Sequence, residues 1–326
     1  MRLAAFLLSI VFALPTLAQA QAQNAPPAPQ PRFEDTLAKT VVRLTATAEG
    51  ITDPLNATGF LVGIPDERFP VKNTVFSYLV TNRHVAEAIT PDAGGQPVRH
   101  RVLTMTATVN LKEPVNGSRV HSIPLPPASG AWFFPEDTAI DLAIISIPLE
   151  NTYDVVELVP DNFLTPDLWE KDRVGPGDKV LTCGYFLHFA GAHQFQPIVR
   201  EGSLAMVPDD TMPVPIGGSA MVYLADIHVI PGNSGSPLFL APGFTLGGYV
   251  TDGKGGVPYG ALGVVSGYMW EDDKLTLRAA TDYEGTIHAN SGIAMIVPIS
   301  QLKELLYSPK LQQLRDLAFA NTPKAH

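Results

Sequence analysis

The sequence predicts an all-β fold of two packed six-stranded antiparallel β-barrels with a C-terminal α-helix. Short runs rich in β-branched and aromatic residues recur along most of the chain, as they do in all-β proteins. The 326 residues include 30 Pro and 27 Gly, and both counts exceed those that average usages of about 5% and 7% would give in a chain of this length. This surplus indicates many turns. A pair of β-sandwiches fits the number of strands nearly as well, so the motifs must decide between the two architectures.

The predicted elements begin near residue 40. Arg101–Asn110 alternates apolar residues with threonine, as a half-buried strand does, and Ile140–Ile147 is apolar enough for a buried strand. In Ile299–Ala318 leucines recur near helical spacing, which predicts the helix. The other predicted strands are Thr40–Thr47, Gly59–Gly63, Ser77–Asn82, Lys179–Tyr185, Ile198–Val207, Ala220–Ala225, Pro237–Leu240, Ala261–Tyr268 and Gly292–Val297.

The chain begins with the pattern of a secretory signal peptide. Arg2 precedes an apolar run, Leu3–Leu14, that is too short to span a bilayer, and Ala18 and Ala20 form a small-x-small cleavage site. We therefore predict cleavage after Ala20 and a protein outside the cytoplasm. The predicted organisation is a signal peptide at 1–20, a Pro/Gln/Ala-rich tether at 21–38, an N-terminal barrel at 39–150, a linker at 151–177, a C-terminal barrel at 178–298, and a helix and tail at 299–326.

Charge and cysteine content exclude several classes of function. The net charge of −10 argues against nucleic-acid binding, which needs a basic surface to replace counterions. The single cysteine excludes an intrachain disulfide and any Cys-based zinc motif. No segment after the signal peptide approaches 18 apolar residues, so we expect no membrane span once it is removed. No metal or other cofactor is predicted, and a monomer is favoured.

The segment PGNSGSP at 231–237 holds the sharpest chemical signal. Glycines on both sides of Ser234 allow a tight turn that exposes the hydroxyl and aligns neighbouring backbone N–H groups toward one point, where an oxyanion can bind. A serine hydroxyl needs a base to act as a nucleophile. Taken alone, the same residues also fit an ordinary Gly-rich hairpin loop.

Two further residues fit this serine. His84 follows a predicted strand, and an imidazole with a pKa of about 6.5 can move a proton near neutrality. Asp141 begins an apolar strand, where a carboxylate is costly to bury unless it is paired, for example with an imidazole N–H. Each residue alone is more often structural. The chain order His84, Asp141, Ser234 is that of trypsin-like barrels rather than of subtilisins or α/β-hydrolases.

With six segments in order, the sequence resembles the trypsin-like, chymotrypsin-fold serine endopeptidases, and most closely their bacterial HtrA-type and glutamyl-endopeptidase-type branches. The resemblance implies two chymotrypsin-like barrels and a bacterial protein of the periplasm or the medium. The matching segments are TGFLVG at 58–63, TNRHVA at 81–86, IDLAII at 140–145, PGNSGSPLF at 231–239, GVVSGY at 263–268 and GIAMIVPI at 292–299.

The resemblance implies a role for each matching residue. Ser234 would be the nucleophile, His84 the general base and then acid, and Asp141 the carboxylate that orients the imidazole. The backbone N–H groups of Gly232 and Ser234 would form the oxyanion hole. Ser266 falls where the family often places a serine that hydrogen-bonds the triad carboxylate.

Two departures from the family pattern lead to further expectations. Digestive members carry an aspartate before the nucleophile that pairs with a freed N-terminus, whereas this chain has the neutral Asn233, so we expect no digestive-type zymogen activation. HtrA-type proteins usually continue into a PDZ domain. The sequence stops at His326, soon after the closing strand, and we therefore expect no PDZ domain.

The same resemblance predicts the substrate pocket at Ser266, Gly267 and Tyr268 and at the residues just before the nucleophile turn. These stretches hold no Asp or Glu, so a preference for cleavage after Lys or Arg is not supported. His228 could face the pocket and favour an acidic P1 residue, or it could be a rim residue. An uncharged, small or medium apolar P1 residue is the preferred expectation.

The sequence thus predicts a secreted or periplasmic serine endopeptidase that acts on polypeptides through an acyl-enzyme. The alternative is a catalytically silent protease-like domain used as an extracytoplasmic binding module. Such a domain normally shows a replaced triad residue, and here all three are present. An esterase of another fold is disfavoured because G-x-S-x-G followed by a helix is absent.

Overall fold

The structure is a computed structural model that describes residues 33–321 apart from 70–73, 93, 128–129, 165–166, 168, 170–173, 190, 192, 242–259 and 278–282. The predicted signal peptide and most of the predicted tether lie outside these residues. Within the described residues, the helices with defined bounds are α1 (Phe33–Leu37), α2 (Arg83–Ala86), α3 (Ile299–Leu306) and α4 (Pro309–Ala320). Helix α1 occupies residues that the sequence assigned to the end of the tether.

The described residues have a strand at each of the eleven predicted positions and six further strands that the sequence did not indicate. They are β1 (Val41–Ala48), β2 (Leu55–Pro65), β3 (Val75–Thr81), β4 (Ile89–Pro91), β5 (Pro97–Arg99), β6 (Val102–Val115), β7 (Ser118–Leu125), β8 (Trp132–Phe133), β9 (Ala143–Ser146), β10 (Lys179–Gly184), β11 (Ile198–Met206), β12 (Met212–Pro213), β13 (Ser219–Ala220), β14 (Tyr223–Asp226), β15 (Pro237–Leu240), β16 (Gly260–Leu277) and β17 (Tyr283–Pro298).

The N-terminal half forms an antiparallel sheet in the order β7-β6-β1-β2-β3-β9-β8. The sequence predicts six strands here, whereas the sheet has seven, and the pairing of the described residues does not join β7 to β8. Only two of the eight residues of β7 are buried and β8 spans two residues, so neither shows the long buried alternation that marks a strand in sequence. Leu44, Leu61 and Leu79 from the three central strands are buried in its core.

The C-terminal half forms a closed barrel in the order β10-β11-β14-β17-β16-β15, which confirms the predicted six-stranded antiparallel barrel. Val180, Leu238 and Leu262 contribute side chains to its core and are fully buried. Burial of one such aliphatic side chain stabilises the fold by about 1.5–3 kcal/mol. Strands β16 and β17 are longer than predicted because their pairing continues past Tyr268 as a hairpin.

Two helices, rather than the single predicted one, follow the barrel. Pro309 is the first residue of α4, a position that suits proline because an N–H group there has no partner within the helix. Continuing one helix through this position would cost a hydrogen bond and create a ring clash, so the helix restarts. Leu311 is buried, whereas Leu314 is 42% exposed, so the predicted apolar face ends earlier than expected.

The predicted linker runs beside both halves. Leu158 forms a bridge with Val62 of the first sheet, and Phe163 forms one with Ala261 of the barrel. A 3-10 helix at Pro160–Asn162 lies between these two contacts. Among the described residues, no helix combines the length and apolar character needed to cross a membrane.

Candidate active site

His84 and Asp141 lie together at one end of the N-terminal sheet. Strand β3 pairs with β9 through Thr81 and Ala143, so the residues just after β3 and just before β9 are neighbours. His84 Nδ1 lies 2.7 Å from Asp141 Oδ2, and the His84 backbone N–H donates to Oδ1 at 2.9 Å. One carboxylate therefore holds both the ring and the backbone of the histidine.

The electrostatics of this pair leave a basic nitrogen on His84. Burial raises the pKa of the Asp141 carboxyl, but the charge and hydrogen bonds of His84 outweigh burial and hold that pKa below its usual range. For His84 burial lowers the pKa, but the charge and hydrogen bond of Asp141 outweigh burial. The pKa of His84 is therefore raised above its ordinary value. An ionised carboxylate only accepts, so the Nδ1 carries the proton and Nε2 keeps a lone pair.

Asp141 also bridges the two halves of the protein. Ser266 of β16, in the C-terminal barrel, donates from Oγ to Asp141 Oδ2 at 2.6 Å. The Asn82 side-chain amide donates to the Asp141 backbone carbonyl at 2.9 Å. Sequence reasoning singled out Ser266 but missed Asn82, although this residue lies within the TNRHVA segment. An isolated motif gives no sign of which distant carbonyl an amide reaches.

Ser234 lies in the turn between β14 and β15, which we call the oxyanion turn (residues 230–236). Gly235 has a φ of +84°, and a side chain there would lie 2.0 Å from the Thr58 carbonyl oxygen, so only glycine fits. The Thr58 N–H donates to the Ser234 carbonyl at 2.9 Å, and the Gly235 N–H donates to the Val265 carbonyl at 2.8 Å. These two bonds fix the turn between β2 and β16, next to Ser266, which contacts Asp141.

Two backbone N–H groups of the oxyanion turn have no acceptor among the described residues. Neither the Gly232 nor the Ser234 N–H donates to any acceptor within the part of the chain that the structure describes. The Ser234 side chain is half-buried, and across the described residues its hydroxyl forms no hydrogen bond, to His84 or to another group. In free enzymes the bond between nucleophile and base is often long and tightens when substrate binds. Two free N–H groups beside a serine can stabilise a developing oxyanion.

Neutral hydrogen bonds hold the residue before the serine. Asn233 is 2% exposed, and its side-chain Nδ2 donates to the Tyr185 carbonyl at 2.9 Å. Its Oδ1 accepts from the Ile230 N–H at 3.0 Å, and its own N–H donates to the Ile230 carbonyl at 2.9 Å. Both ends of the amide are thus used within the C-terminal barrel, without an ion pair.

The two predicted walls of the substrate pocket both border β17. Ser266–Tyr268 belong to β16, which pairs with β17, and Asn290 of β17 donates to the Val229 carbonyl at 2.7 Å on the other side. His228 has an exposed side chain. Its orientation toward an acidic P1 residue stays a prediction.

The described residues provide neither a reactive thiol nor a metal-binding cluster. Cys183 is buried in β10, and burial raises the pKa of its thiol to about 12, so the reactive thiolate is absent near neutral pH. The described residues contain no group of three or more His, Cys, Asp and Glu side chains that could hold a metal ion.

The chain is similar to known proteins in two of the comparisons made. A sequence model of the trypsin-like peptidase domain matches residues 57–247. Among solved structures, the chain is similar to Deg5, with 16% identity, a TM-score of 0.43 and coverage of 83% of this chain and 88% of that chain. It is also similar to the active form of the Rv3671c protease from M. tuberculosis, with 19% identity, a TM-score of 0.43 and coverage of 94% and 93%.

A search of curated proteins finds no match. The family match covers more than half of the chain and includes all three sequence segments that carry His84, Asp141 and Ser234. The chain therefore belongs to the trypsin-like peptidase domain family and is by that membership a serine endopeptidase.

Proposed function

We propose that this protein cleaves polypeptides outside the cytoplasm through a covalent acyl-enzyme formed on Ser234. The observation that carries the proposal is the His84–Asp141 pair beside a turn in which two backbone N–H groups have no acceptor among the described residues. A base, an orienting carboxylate and an oxyanion site are the three parts that serine acyl transfer requires.

In the proposed mechanism, His84 Nε2 takes the proton of the Ser234 hydroxyl as Oγ attacks the scissile carbonyl carbon. The carbonyl oxygen becomes an oxyanion, which the N–H groups of Gly232 and Ser234 stabilise. His84 then donates the proton to the leaving amine, and the C–N bond breaks to leave an ester on Ser234. Water repeats the sequence on the ester and releases the acid. Asp141 stabilises the imidazolium at each step.

Labelling with a fluorophosphonate tests the proposal. The wild-type protein should form a covalent phosphonyl adduct, and Ser234→Ala should form none, while Ser203→Ala on strand β11 serves as the matched control and should label normally. Folding of each variant is checked by circular dichroism. A well-folded wild type that takes no Ser234-dependent label would refute the enzyme and leave the silent binding module as the better account.

We further propose that residues 1–20 direct export and that the mature protein acts as a monomer in the periplasm or the medium. The charged start, short apolar run and small-x-small site support export. Expression of the full chain in a bacterium, followed by fractionation and N-terminal sequencing, should recover a protein beginning at Gln21 outside the cytoplasm. An uncleaved cytoplasmic product would contradict the proposed location.

A further inference from the structure

We propose that Thr58, on strand β2 of the N-terminal sheet, is a positioning residue that holds the oxyanion turn of the C-terminal barrel in its donor conformation. The inference rests on the proposed function, because it assigns a task to the turn that carries Ser234. It adds a residue whose side chain touches no reacting atom and acts through the backbone of Gly232 and Ser234.

Thr58 contacts the turn at two points on opposite sides of Asn233. Its hydroxyl donates to the Gly232 carbonyl at 2.7 Å, and its backbone N–H donates to the Ser234 carbonyl at 2.9 Å. Gly232 and Ser234 carry the two N–H donors of the oxyanion site, and Thr58 fixes the carbonyl groups of the same two residues. Thr58 itself is fully buried, so water does not compete for these bonds.

The same threonine connects the turn with the rest of the site. Its hydroxyl accepts from the Tyr185 N–H at 2.8 Å, at the end of β10, and its carbonyl accepts from the Thr81 hydroxyl at 2.8 Å. Thr81 ends the strand that leads to His84. All the polar groups of Thr58 named here are occupied by partners from three different segments, which leaves it little freedom to move.

The packing around this hydroxyl is close. A side chain at Gly184 would lie 2.1 Å from Ser236 Oγ, 3.0 Å from Thr58 Oγ1 and 3.1 Å from Asn233 Nδ2. Gly232 has a φ of +100°, and glycine gives the backbone the widest freedom to rotate. The turn therefore needs a restraint at this residue, and the Thr58 hydroxyl supplies one. Without the Thr58 hydroxyl, the Gly232 carbonyl loses its fixed partner, and the adjoining N–H donors lose their alignment.

Removal of the hydroxyl at constant shape tests the inference. Thr58→Val should lower kcat by about 10- to 100-fold, as expected when an oxyanion donor is misplaced rather than deleted, with KM little changed. Thr58→Ser keeps the hydroxyl and should retain most of the activity. A peptide boronate, whose tetrahedral adduct uses the oxyanion site, should bind Thr58→Val more weakly by the same factor. Binding of an uncleaved peptide in the Ser234→Ala background should not change.

The matched control is Thr40→Val. Thr40 is also buried, and its hydroxyl donates to the Leu37 carbonyl at 2.8 Å, away from the site. Thermal unfolding of both valine variants separates lost stability from lost alignment, and Thr58→Ala replaces Thr58→Val if the latter does not fold. Wild-type kcat and boronate affinity in a folded variant without the hydroxyl would overturn the inference. A wild type that does not label at Ser234 would instead overturn the proposed function.

Discussion

The two halves of the molecule prepare their parts of the candidate site in different ways. The N-terminal sheet supplies His84 and the ionised, buried carboxylate of Asp141, which sets the tautomer of the ring and raises its basicity. The C-terminal barrel supplies Ser234 on a turn held by neutral hydrogen bonds of Asn233. Rate should therefore depend on charge in the first half and on backbone geometry in the second.

The largest effect is expected where charge is removed from the N-terminal half. Asp141→Asn keeps the shape but can donate to His84 Nδ1, which favours the wrong tautomer, so kcat should fall by about 10⁴-fold. Peptide hydrolysis at saturating substrate measures this loss. The control is Asp154→Asn, which removes an exposed ion pair with Lys39 and should leave kcat unchanged. Equal losses in the two variants would mean that the buried charge has no special role.

A smaller effect is expected where charge is added to the C-terminal half. Asn233→Asp would face the Tyr185 carbonyl with an acceptor in place of the donor Nδ2, in a site that is 2% exposed. The repulsion should move the turn and lower kcat by about 10²-fold, comparable with the loss of one oxyanion donor. Tighter or unchanged boronate binding by Asn233→Asp would show that the amide does not hold the turn.

Much of the C-terminal barrel could be predicted because several of its strands are short, apolar and almost continuously buried. Strand β15 was predicted at its observed bounds, and the glycines on both sides of Ser234 predicted the turn. Asp141 could be recognised because a carboxylate next to an apolar strand needs a partner. These signals are local: each depends on a residue and its near neighbours.

What escaped prediction depends on contacts between distant segments. Thr58 begins the segment TGFLVG that matched the family, yet nothing in its neighbours indicates that its hydroxyl reaches a carbonyl 174 positions away. Strand β7 escaped for a different reason, since only two of its eight residues are buried and its apolar alternation is confined to the last few residues. The predicted helix also ran through Pro309, because the spacing of the leucines does not reveal that proline lacks the N–H group a continuous helix needs.

The smallest expected effect concerns the pH profile, and it joins the two halves through Ser266. Catalysis needs neutral His84, whose pKa is raised, so kcat/KM should fall on acidification with a midpoint above the ordinary value of about 6.5. Ser266→Ala removes a donor from Asp141 Oδ2 and leaves more negative charge facing His84. The midpoint should then rise further, by less than about one pH unit. A wild-type midpoint below 6.5, or a downward shift in the variant, would mean that burial rather than the carboxylate controls this histidine.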